Sequence, residues 1–140
     1  MKTKSKLKNS AAEEKLNVKI FYEPVFYTHV TFLVGPLELV NEYFSKKKLI
    51  VGDLKNYNGM TMDIGCEDIK KRSIYLWVRR KDDFYSLQHE TIHLIKYACD
   101  HVGIDFRAEN DEFIAYYQNY WFKQLWRCMA KWANIKLRES

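Results

Sequence analysis

The sequence predicts an α+β domain in which one small mixed sheet packs on two long helices. Three observations predict it. Val18 to Val34 is rich in Val, Ile, Phe, Tyr and Thr, residue types that favour strands. Ser73 to Val78 is a second and stronger strand signal. From Phe84 onward apolar residues recur at helical spacing over most of the remaining chain. The chain has 140 residues, of which 47% are hydrophobic and 16% aromatic. That is enough apolar mass for one core, and residues 16–140 read as one domain.

Residues 1–15 read as a flexible basic tail. Lys2, Lys4, Lys6 and Lys8 supply +4 of the formal net charge of +5, which leaves the rest of the chain close to neutral. A nucleic-acid binder usually spreads basic residues over its folded surface. No specific nucleic-acid partner is therefore expected, and the clusters Lys46-Lys47-Lys48, Lys70-Lys71-Arg72 and Arg79-Arg80-Lys81 read as solvated strand ends and loops.

Within the strand-rich stretch Pro24 marks a break or an edge position, and Gly35-Pro36 ends it. Leu37 to Phe44 is a short amphipathic helix with Leu37, Val40 and Phe44 on one side. A loop with Gly52, Asn56, Asn58 and Gly59 follows. Met60 to Ile64 is a short strand. Ser73 to Val78 alternates so weakly that burial on both faces is expected. After Asp82-Asp83 the period turns helical. Phe84, Leu87, Thr91/Ile92, Ile95, Cys99 and Val102 form a stripe, and Gly103 stands where a C-terminal cap is wanted. The last helix runs from about Asn110, its expected cap, to about Asn134, with a stripe of Ile114, Tyr117, Trp121, Leu125, Cys128 and Trp132. The expected order is β-α-β-β-α-α.

Cys66, Cys99 and Cys128 are odd in number and widely spaced, which argues against a disulfide framework or a cysteine metal site. Three lone thiols suit a reducing compartment. The charged N-terminus has no apolar h-region, and no apolar run is long enough to span a bilayer. The cytoplasm is the simplest location, with no membrane partner.

The chemistry lies in His89-Glu90-Thr91-Ile92-His93. Histidines four residues apart on a helix project from one face, about 6 Å apart along the axis. Both can then reach one Zn²⁺ at about 2.0–2.1 Å. Glu90 stands beside the metal as a general base for the attacking water, whose acidity the metal raises. The other reading is an ordinary helix with surface histidines. A catalytic zinc also needs a third protein ligand and one open position. The segment Glu109-Asn110-Asp111-Glu112 brings carboxylates back toward the histidine helix. Of these, Glu112 is the expected ligand. With Asn110 as cap it falls inside the helix, whereas Glu109 precedes it, and Ala115 one turn on allows close helix approach. Tyr116 is a weaker candidate for orienting a ligand or bonding an oxyanion, against a plain core role. His29 and His101 are not read as ligands. His101 is twelve residues past His89, too far along the helix for the same ion.

H-E-x-x-H followed some twenty residues later by E-x-x-[small] resembles the gluzincin pattern, here His89 to His93 and then Glu112-Phe113-Ile114-Ala115. The string Glu109-Asn110-Asp111-Glu112 with Ala115-Tyr116 is similar to that of small phage- and prophage-encoded metallopeptidase-like proteins. The resemblance covers roughly Met60 to Leu125. It implies a minimal zincin-like fold, one Zn²⁺ per chain held by His89, His93 and Glu112, and a peptidase-type mechanism. If the chain is phage-encoded, its place is the host cytoplasm. The metzincin pattern is absent, since residue 96 is Lys and residue 99 is Cys.

Two functions are weighed. The first is a zinc-dependent peptidase that takes an extended peptide along a sheet edge. The second is a zincin-scaffold protein that acts on a host or partner protein by contact, without hydrolysis. An intact Glu90 favours the first, and the basic tail and small size favour the second. A metal hydrolase for a non-peptide amide is a third. Trp121, Phe122, Trp126 and Trp132 read by default as core, and any exposed remainder would suit a homodimer or a protein partner.

Overall fold

The computed structural model describes residues 14–24, 26–64 and 73–137. Most of the predicted basic tail lies outside them, as do Cys66 and the Lys70-Lys71-Arg72 cluster. The architecture is α+β: strands β1 (Asn17–Glu23) and β2 (Thr28–Val34), helix α1 (Leu37–Lys46), strands β3 (Gly59–Ile64) and β4 (Ser73–Val78), helix α2 (Phe84–His101), a 3₁₀ turn Ala108–Asn110, and helix α3 (Asp111–Trp132). The expected order lacked one strand. The stretch Val18 to Val34 folds as two strands, because Pro24 opens a turn in which the Glu23 carboxylate accepts from Phe26 N at 2.9 Å and Tyr27 takes a positive φ of 53°.

The sheet order is β1-β2-β4-β3. β2 and β4 run parallel in the middle, with Phe32 opposite Leu76. β1 and β3 are antiparallel edges, with Phe21 opposite Val30 and Thr61 opposite Leu76. Side chains alternate between the two faces of a strand, so each interior strand feeds two cores. Val30, Phe32, Val34, Ile74, Leu76 and Val78 meet α2 and α3 on one face. Leu33 and Trp77 meet Val40 and Phe44 of α1 on the other. The double burial expected of Ser73 to Val78 follows from this three-layer arrangement.

α2 begins at Asp83, whose carboxylate accepts from Ser86 N at 3.0 Å and from the Ser86 hydroxyl at 2.6 Å. It ends at Gly103, with φ +74°, a conformation glycine adopts without strain. Its buried face is Leu87, Glu90, Thr91, Leu94, Ile95, Ala98 and Cys99. The expected stripe was rotated slightly: Ile92 and Val102 are exposed, and Leu94 and Ala98 take the inner places. α3 buries the expected Ile114, Tyr117, Trp121, Leu125 and Cys128, and adds Met129 and Ala130. Trp132 is partly buried and stacks on Phe32 with 5.4 Å between ring centroids. Asn110 does not cap α3 with its side chain, because its amide is turned back to donate to the Asp105 carbonyl at 2.9 Å. Among the described residues no helix is long and apolar enough to cross a membrane.

Candidate functional site

The middle of α2 lies against edge strand β3. Gly59, Thr61 and Asp63 alternate onto the α2 side of that strand, while Met60 and Met62 pack toward α1. Glu90 is only 7% exposed. A buried carboxylate needs a donor, and Thr61 supplies it. The Thr61 hydroxyl lies 2.8 Å from Glu90 Oε1 and 3.0 Å from the Glu90 carbonyl oxygen, so its single proton is shared between them. Gly59 makes the approach sterically feasible. A Cβ at position 59 would stand 2.9 Å from the Trp77 carbonyl oxygen and 3.1 Å from Glu90 Cγ. The sequence reading missed both residues, since Gly59 was taken as part of a loop and Thr61 as an ordinary strand position.

His89 and His93 stand on the solvent side of the same turn. Their Nε2 atoms are 3.3 Å apart and the rings are inclined at 68°. Two nitrogens each about 2.05 Å from one tetrahedral Zn²⁺ would be separated by about 3.3 Å. The imidazole pair thus fits a shared cation without rearrangement. The second carboxylate oxygen of Glu90, Oε2, is 4.0 Å from His89 Nε2.

The other sequence candidates are not brought to this point. Glu112 and Tyr116 are exposed on α3, Tyr116 by 71%. Among the described residues no three His, Cys, Asp or Glu side chains converge on a metal position. Glu112 is the second residue of α3 and stands in solvent. The core tyrosine of this region is Tyr117, whose hydroxyl donates to Glu23 at 3.2 Å. His101 pairs with Asp63 at 2.8 Å, and His29 lies against the Tyr22 ring at 4.6 Å. Cys99 and Cys128 are buried, and burial pushes both thiols up in pKa, which suits packing rather than nucleophilic attack.

Comparison of the chain with protein families, curated proteins and solved structures returns no match. The resemblance to gluzincins therefore stands on the residues quoted for it.

Proposed function

We propose that this protein is a zinc-dependent hydrolase of gluzincin type that acts on peptide bonds. One observation carries the reading: a histidine pair spaced for a shared cation beside a buried, oriented carboxylate. His89 and His93 would hold the ion; Glu112, the third ligand that the motif calls for, stands exposed and apart from them in this structure and would have to move to join them. A bound Zn²⁺ would supply Lewis acidity, making water more acidic and a carbonyl more electrophilic.

The remaining work belongs to the chain. Glu90 accepts the proton of the attacking water at Oε2 and returns it to the leaving amine. Thr61 holds Oε1, so that one oxygen of the carboxylate is fixed and the other is free for proton transfer. β3 is the outer strand on this side of the sheet. Its outer edge, unpaired among the described residues, suits an extended peptide laid alongside by strand addition, close to Glu90.

A second reading has its own support. With no three-donor group among the described residues, the scaffold also suits a protein that binds a partner and hydrolyses nothing. Glu90→Gln separates the two. In the first reading the variant keeps its zinc and its fold and loses hydrolysis of a peptide library by at least about a hundredfold. Equal activity in variant and parent would move the function to the binding class. Loss of zinc on His89→Ala or His93→Ala is required by the first reading, and stoichiometric zinc in the double variant would end it.

A further inference from the structure

A cavity of about 590 Å³ lies at the opposite end of α2 from Gly103. Its volume falls in the range of small-molecule sites. It opens beyond Val34 and Val78, the last residues of the parallel strands β2 and β4, which is where sheets with parallel strands commonly bind ligands. The floor is built. Gly35 N donates to the Val78 carbonyl at 3.1 Å. The backbone at Lys15 comes so close to Gly35 that a Cβ there would stand 3.0 Å from the Lys15 carbonyl oxygen.

Cations outnumber acids in the lining of this cleft: Lys15, Arg79, Arg80 and Lys81 stand against Glu14 and Asp82. Arg79 is structural: its guanidinium donates to the carbonyls of Lys55 and Tyr57 and stacks on Trp77. Arg80 chelates Asp82. Lys15 and Lys81 enter none of the ion pairs among the described residues. The apolar part of the lining is formed by Val34, Trp132, Ala133 and Ile135.

We propose that this cleft binds a phosphate-bearing anion with a flat apolar body: a nucleotide, free or as part of a single strand. Lys15 and Lys81 meet the phosphate, and the base lies on the apolar wall beside Trp132. An acidic peptide would satisfy the lysines and leave that wall unused. The chain's own lysine-rich stretch is excluded as the occupant, since its charge has the same sign. The inference is independent of the hydrolase reading, because none of the cleft's residues belongs to it.

Calorimetric titration of the full chain tests it, with adenosine monophosphate, inorganic phosphate, a short single-stranded oligonucleotide and an oligoglutamate peptide as probes. Adenosine monophosphate should bind more tightly than inorganic phosphate. Lys15→Gln combined with Lys81→Gln should weaken it at least about tenfold with an unchanged thermal midpoint. Ile135→Ser should erase the advantage over inorganic phosphate. Binding of the oligonucleotide without the mononucleotide supports the proposal and assigns the strand as the source. Oligoglutamate binding as tight as the mononucleotide overturns it. So does undiminished binding in the double variant, or no binding of any phosphate probe at about 1 mM.

Discussion

The two approaches to the histidine helix are built differently. On the β3 side a glycine, a threonine and a buried glutamate interlock at van der Waals and hydrogen-bond distance. On the α3 side the corresponding carboxylate, Glu112, stands in solvent in the first turn of its helix. Both sides carry the residue types that the motif demands. Only one is pinned by packing. A side chain is positioned by what it is packed against, so the buried Glu90 has a defined place and the exposed Glu112 does not.

Three substitutions break or sharpen that contrast. The largest effect is expected where packing is densest. Trp121 is 1% exposed and meets Phe21 edge to face at 6.1 Å between ring centroids. Trp121→Ala should cost roughly 3–5 kcal/mol in a denaturant titration. An unchanged midpoint would mean that the α3 stripe does not hold the core. Next, Gly59→Ala pushes a methyl group against the Trp77 carbonyl and Glu90 Cγ. It should cost about 1–3 kcal/mol and lower hydrolysis more than it lowers zinc affinity. A fully stable, fully active variant would show that β3 does not set Glu90. The smallest effect belongs to the open side. In the arrangement described, Glu112→Ala and Glu109→Ala should each change zinc affinity by no more than about threefold, against the roughly 10–100-fold seen when a group that supports a metal site is removed. A loss of that larger size in Glu112→Ala alone would put Glu112 on the metal, as the motif implies.

The sequence announced some of this and concealed the rest, for physical reasons. The strand Ser73 to Val78 matched residue for residue, because an interior strand packed on both faces is an uninterrupted apolar run with sharp polar ends. Gly103 was legible because a helix stop in the left-handed region selects glycine locally. His89, Glu90 and His93 were legible because their spacing is set by a single helical turn. The β1–β2 hairpin was not, since Pro24 signals a break without saying whether the chain reverses there. The Thr61–Glu90 bond joins residues 29 apart in the chain, and no local pattern encodes such a pair. The cap assigned to Asn110 failed because a 3₁₀ turn offered its amide a nearer acceptor. The exposure of Glu112 was illegible for a related reason: periodicity gives the identity of two helices but not how one is set against the other.

The Thr61–Glu90 contact ties the chemistry to the slowest-changing and the fastest-changing parts of the molecule at once. Thr61 sits on an outer strand, with a ladder on one side only, and such strands open locally before the interior does. Each opening releases Oε1 and frees the carboxylate to rotate, while α2, anchored by the core, keeps the imidazoles in place. Amide exchange at Thr61 would then count the intervals during which the Glu90 carboxylate is aimed, and hydrolysis as proposed above would track the closed fraction of one six-residue strand rather than the stability of the whole domain.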